Sequence, residues 1–228
     1  MPRGPARLFR EGIRGSFPLV PSVFVYATVW GGLARQAGLS LGEIALMCLV
    51  VTAGASQFVA VPMIAAGAPP LAVIVTTYVV NMRHYLMAAT LAPAFRGFPR
   101  GWLALVAHGV NDESFALTTA RRDPAGPWFF IGSVVAVYGS FIVGALVGAV
   151  VGGLVRDPSR YGLDFAFPAV FLALVAVQLR GRGDWVVAGG AGLLALGIAW
   201  HLPGNWHIVI AGLAASGVGA LVMRPESP

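Results

Sequence analysis

Apolar stretches recur along almost the whole chain, at roughly 17–35, 42–66, 70–94, 128–153, 164–180, 185–201 and 206–223. Each is about as long as the roughly 20 helical residues needed to cross a hydrocarbon core. The pattern predicts an all-α integral membrane protein, a bundle of seven transmembrane helices or of eight. The count turns on 101–120, GWLALVAHGVNDESFALTTA, which is apolar at both ends but carries Asn111, Asp112 and Glu113 in its middle. That segment spans, re-enters or lies buried against the bundle. The connections are short and free of low-complexity tracts, so residues 1–228 read as one polytopic transmembrane domain with an arginine-rich N-terminus at 1–16.

The polar exceptions inside the apolar stretches carry the functional signal. NMRHYLM at 81–87 puts Asn81, Arg83 and His84 at bilayer depth. A charge there costs a few kcal/mol even on lenient insertion scales, so such a residue faces a cavity or a partner, or glues helices together by hydrogen bonds. On a continuous helix Thr77, Asn81 and His84 share one face, while Arg83 points half a turn away with Thr76. A substrate carboxylate or a buried acid would suit Arg83. His84, with an unperturbed pKa of about 6.5, is the natural proton carrier or a structural hydrogen-bonding residue. On a continuous 101–120 helix His108 and Asp112 share a face and Glu113 turns away. The two acids read either as static partners of Arg83 or as proton carriers. AGASQF at 53–58 brings Ser56 and Gln57 into a span, for polar ligand groups or for interhelical bonds. Asp164 in GLDFAFPAVF reads as a helix N-cap.

Composition agrees with the class: 57% of the 228 residues are hydrophobic and 11% charged, and the mean hydropathy is +0.80. All fifteen basic residues are arginine. Arg3, Arg7, Arg10 and Arg14 precede the first span and predict a cytoplasmic N-terminus. If 101–120 spans, nine arginines lie inside against five outside; if not, six lie inside against eight outside. The positive-inside rule therefore favours eight crossings. The net charge of +6 is an orientation and lipid-surface signal rather than a nucleic-acid one. No small-residue cleavage site follows the first apolar stretch, so the start reads as a retained span. The single cysteine, Cys48, removes disulfides and multi-thiolate metal sites, and no metal or cofactor is expected. Without lysine there is no retinal Schiff base.

Two features speak of architecture. Ser140, Gly144, Gly148 and Gly152 recur every four residues and predict a smooth stripe for close helix packing. Pro18, Pro21, Pro62 and Pro168 predict bent or interrupted spans. A faint echo between 32–57 and 153–178, both opening on Gly-Leu and ending on Gln, raises two repeated halves, parallel or inverted.

AGASQF, NMRHYLM, NDESFAL at 111–117 and GLDFAFPAVF together resemble the motifs of the AzlC/YgaZ family, large subunits of branched-chain amino-acid exporters. The resemblance runs from the arginine-rich start to LPG at 202–204. It implies a non-enzymatic secondary transporter of a bacterial-type inner membrane. Such a protein exports valine, leucine, isoleucine and, as a further candidate, methionine, and works with a small hydrophobic AzlD/YgaH-type subunit. The family's polar positions fall on Gln57, Asn81, Arg83, His84, Asp112, Glu113 and Asp164. Asn111 stands where relatives commonly have threonine.

An aliphatic zwitterion needs a cation or helix N-terminus for its carboxylate, an acceptor for its ammonium and an apolar pocket, and each is available here. Proton coupling through Asp112 or Glu113 fits the same residues. The rival classes are a membrane-embedded enzyme, which lacks an elbow-type or zinc-binding motif, and a non-catalytic assembly or sensor subunit. A channel lacks a repeated carbonyl-type filter. Export of another small hydrophobic solute is the alternative within the transporter class.

Overall fold

The computed structural model describes residues 4–121, 126–154, 179, 181–202 and 206–222. In chain order the helices are α1 (Pro5–Ser16), α2 (Val20–Gln36), α3 (Leu41–Val51), α4 (Gly54–Ala65), α5 (Pro70–Asn81) and α6 (Arg83–Leu91). A 3-10 turn (Ala92–Phe95) follows, then α7 (Arg100–His108), α8 (Asp112–Thr119), α9 (Pro127–Leu154), α10 (Arg182–His201) and α11 (Trp206–Val222). Among the described residues the regular structure is all helical, with no strand. By length and composition α9 and α10 can each cross a membrane, and α1 with α2 qualify as one pair bent by 64°. The bend falls where Pro18 and Pro21 withhold backbone donors.

Three stretches that read as continuous spans are interrupted. Residues 42–66 form α3 and α4, 70–94 form α5 and α6, and 101–120 form α7 and α8. The faces drawn on unbroken helices change accordingly: Thr77 returns its hydroxyl to the carbonyls of Val73 and Ile74 in its own helix, and His108 is separated from Asp112 by a break. Pro62, by contrast, lies inside α4 without ending it. Asp164 and the 153–178 half of the internal echo lie largely or wholly outside the described residues.

The core is built on α9. It runs beside α2 in the same direction, as the sequence of contacts from Ser140 with Val20, through Gly144 with Phe24 and Gly148 with Thr28, to Gly152 with Gly32 requires. The spacing brings backbone against backbone: a Cβ on Gly148 would strike the Thr28 carbonyl, and one on Gly31 the Ala145 carbonyl. Gly12 and Gly132 serve the crossing of α1 over the start of α9 in the same way. Around this seam Val23, Trp30, Ile44, Cys48, Phe58 and Phe141 form the main apolar core.

A buried chain of hydroxyls ties α1, α9 and α8 together. Ser16 Oγ lies 2.9 Å from Ser133 Oγ, and Ser133 Oγ donates to Ser114 Oγ at 3.1 Å. All three serines are fully buried. Ser133→Ala should leave the buried Ser114 hydroxyl short of a partner, while Ser16 keeps the Gly12 carbonyl, and cost about 1–3 kcal/mol, read as a lowered unfolding temperature in detergent. An unchanged temperature would show the chain to be energetically idle.

Candidate functional site

The three interruptions come together in space, and each arises from its local sequence. At the first, Thr52 adopts a left-handed conformation (φ 48°), which a β-branched residue accepts only under constraint. Its hydroxyl is held by the His108 carbonyl at 2.8 Å. Ala53 is extended, and α4 starts at Gly54 with no side-chain cap, so its first amides are open to an acceptor. At the second, the chain tightens through Met82 by bonds from Met82 N to Val79 O and from Tyr85 N to Met82 O. At the third, Gly109 ends α7, and the extended Asn111 caps α8 by accepting from Ser114 N at 2.9 Å. Asp112 and Glu113 thereby occupy the first turn of α8, where the helix dipole favours anions.

A cavity of about 360 Å³ lies where α4, α6 and α8 begin, within the range of small-molecule sites. Its polar side holds Arg83, His84, Asn111, Asp112 and Glu113, with the open α4 start at Gly54 and Ala55. Arg83 Nη2 pairs with Asp112 Oδ2 at 2.8 Å. The Arg83 Nε is buried without an acceptor, so the guanidinium keeps a donor to offer. Glu113 Oε1 accepts from the Tyr26 hydroxyl at 2.9 Å. Phe58, Val137 and Phe141 supply the apolar wall. Tyr26 stacks obliquely on Phe141, with ring centroids 5.8 Å apart.

A second cavity, of about 240 Å³, lies where α3, α5 and α7 end. It shares Thr52, Ala53 and His84 with the first, and adds Tyr78, Asn81, Tyr85 and His108. His84 Nδ1 is 3.0 Å from the Asn81 carbonyl and His108 Nε2 is 2.7 Å from the Leu49 carbonyl. A carbonyl only accepts, so these nitrogens carry the hydrogens.

The site residues read from the sequence therefore divide. Arg83, His84, Asp112 and Glu113 line the first cavity, while Asn81 lines the second. Gln57 is fully buried and lines neither; its side chain has the Cys48 sulfur as a polar neighbour. Ser140 gives its hydroxyl to the Val20 carbonyl at 3.0 Å. Tyr26 and Tyr138 escaped the sequence reading, although a phenol inside an apolar run is itself a signal, since its hydroxyl needs a partner. Tyr138 donates to the Cys48 carbonyl at 2.6 Å. Among the described residues no cluster of histidine, cysteine and acids could hold a metal ion.

All three interruptions fall within residues 18–155, which match the family described as AzlC protein. The chain belongs to the AzlC family. Among AzlC-like relatives, the "Inner membrane protein YgaZ" of Escherichia coli is 31% identical over 94% of this chain and 90% of its own length. An "Uncharacterized membrane protein" of Archaeoglobus fulgidus is 30% identical over 92% of both chains. The "Branched-chain amino acid transport protein AzlC" of Bacillus subtilis is 25% identical over 95% of this chain and 86% of that protein. Membership of the AzlC family and these names support a role in membrane transport. No solved structure matches the chain.

Proposed function

We propose that this protein is a secondary transporter subunit that exports the branched-chain amino acids valine, leucine and isoleucine, with methionine as a further candidate, across a bacterial-type inner membrane. The observation that carries the reading is the first cavity. It sets a guanidinium with a spare donor, an uncapped helix start and two carboxylates against an aromatic and aliphatic wall. A zwitterion with an aliphatic side chain has the complementary groups. Its carboxylate is assigned to Arg83 and the Gly54–Ala55 amides, its ammonium to Glu113 or Asp112, and its side chain to Phe58, Val137 and Phe141. Asp112 and Glu113 are also the candidates for proton coupling, with a small AzlD/YgaH-type subunit as partner.

The topology we propose has eight crossings, each broken pair counting as one, with a cytoplasmic N-terminus. The six short helices hold 8 to 12 residues, about 12–18 Å each, so two together match a hydrocarbon core and the breaks fall near its middle. Parity supports the count. Since α2 and α9 run the same way, an odd number of crossings separates them, and the three broken pairs supply it. Arg121, after α8, reaches Glu11 of α1 at 3.5 Å, which agrees with residues 11 and 121 lying on one membrane face. Four crossings per half would make any repeat parallel rather than inverted.

The test is efflux of labelled leucine, glycine and lysine from vesicles, with and without the small subunit, under an imposed proton gradient. Leucine-selective, gradient-dependent efflux that needs the small subunit is expected. Efflux by this chain alone would remove the partner from the mechanism. No flux of any amino acid would redirect the reading to other hydrophobic solutes or to an assembly role.

A further inference from the structure

α1 has two faces of opposite character. One packs on α9: Gly12 meets the Phe129 backbone, Gly132 meets that of Phe9, and Ser16 bonds Ser133. Arg7, Arg10 and Arg14, at i, i+3 and i+7, share the opposite face, and all three are exposed. Phe17, just beyond the helix on the same stripe, is 61% exposed. The stripe carries charge that the protein does not compensate. Glu11 is the one carboxylate of α1, and its two oxygens serve Arg7 at 3.1 Å and Arg121 at 3.5 Å. Arg10 and Arg14 have no hydrogen-bond or ion-pair partner among the described residues.

α9 fixes the depth at which the stripe lies. Its 28 residues make about 42 Å of helix against a hydrocarbon core of about 30 Å, so turns of it stand in the headgroup layer. α1 crosses its first two turns, at Phe129 to Ser133. That end of α9 follows Arg121 and opens on Trp128, a residue type that marks the membrane–water interface. The 64° bend between α1 and α2 turns α1 out of the transmembrane direction and lays it across the flank of α9. With α9 behind it, the arginine face looks outward from the bundle, and the exposed Phe17 lies at the end that leads into α2.

We propose that the arginine face of α1 is a docking surface for anionic phospholipid, with Arg10 and Arg14 as the phosphate ligands and Arg7 beside them. The planar guanidinium fork matches phosphate oxygens, and basic residues at this depth meet the negative potential of an anionic leaflet. A lipid fits better than a free anion for two reasons. The stripe is an open face with no enclosing walls, where a small soluble anion stays hydrated. It also ends on Phe17, an apolar ring that reaches acyl chains and gives a soluble anion nothing. A lipid held there braces α1 against α9, so the stability of the protein follows the anionic content of its surroundings. The inference rests on α9 crossing the membrane and not on the solute carried.

The experiment is a thermal-unfolding titration of the purified full-length protein in detergent. Dioleoyl phosphatidylglycerol is added in mixed micelles, with dioleoyl phosphatidylcholine as the neutral lipid and inorganic phosphate as the soluble anion in parallel. Saturable stabilisation by phosphatidylglycerol, without a matching response to the other two, is expected. The double variant Arg10→Gln with Arg14→Gln should raise the half-saturating lipid fraction by roughly tenfold or more, two cations at an anionic surface being lost. Arg96→Gln with Arg100→Gln removes the same charge from other exposed positions and should leave the midpoint in place. If the α1 double variant does not fold, Arg14→Gln alone takes its part, with a smaller shift in the same direction. An equal shift in both double variants would reduce the effect to net charge and overturn the site. An unshifted midpoint in the α1 variant, or stabilisation by phosphatidylcholine as strong as by phosphatidylglycerol, overturns it too. A matching response to inorganic phosphate assigns a soluble anion instead, and no response to any of the three leaves the stripe to an acidic protein segment; each of these ends the lipid proposal.

Discussion

Arg83→Gln is expected to cut amino-acid efflux by roughly 10- to 100-fold, the equivalent of one charge-assisted hydrogen-bond set at about 1.5–3 kcal/mol, with the protein still present in the membrane. The argument rests on how the guanidinium is shared. One terminal nitrogen serves Asp112 and the Nε serves nothing in the protein, so the group is positioned by one partner while holding a donor for another. A planar fork can do both, and lysine, a point charge, cannot reproduce it. Arg83→Lys should therefore recover only part of the loss. The double variant Arg83→Gln with Asp112→Asn decides between a binding role and a purely structural ion pair. If the pair only holds α6 to α8, the double variant exports as much as Asp112→Asn alone; if Arg83 meets the substrate, it exports less than Asp112→Asn alone. Normal efflux by Arg83→Gln alone would end the assignment.

Gly148→Val is expected to prevent folding into the membrane bundle. The new side chain would be driven into the Thr28 backbone carbonyl, and backbone on a packed helix cannot step aside as a flexible side chain can. Overpacking of this kind costs about 1–3 kcal/mol where neighbours yield, and more where they do not. The measurement is the amount of folded protein recovered in mild detergent. Gly139→Val is the control, since a Cβ there meets nothing within 4 Å. Equal recovery of both variants would show that close approach of α2 and α9 is dispensable.

Much of this was legible in the residues, for physical reasons that differ by feature. The apolar class and the small-residue spacing of α9 are local patterns repeated many times, and such patterns survive whatever the tertiary structure does. Arg83, Asp112 and Glu113 stood out because a charge in an apolar run is costly wherever it lies. The interruptions were harder to read. Proline was the expected breaker, yet α4 carries Pro62 without ending while the chain turns at Thr52, Met82 and Gly109–Asn111. Only the last has a helix-ending glycine followed by an asparagine cap and two first-turn acids, a signal present in the sequence. Thr52 is held left-handed by the carbonyl of His108, a residue 56 positions away, which no local window contains. The same holds for Tyr26 and Glu113, 87 positions apart. The separation of Asn81 from Arg83 was legible, since a continuous helix already puts them on different faces, whereas the place of His84 in both cavities was not.

The α2–α9 seam has a bearing on biogenesis. Thr28 and Gly148 are 120 positions apart, so the earlier helix leaves the ribosome and enters the bilayer long before its partner is made. Through that interval the broken helices stand without the clamp that later gathers them, and their uncapped ends and Arg83 are at their most costly to keep in lipid. Contacts of such long range form late and slowly. Slowed synthesis beyond α8 is therefore expected to prolong the period in which membrane proteases can reach the nascent chain, and α9 is the segment whose arrival ends it.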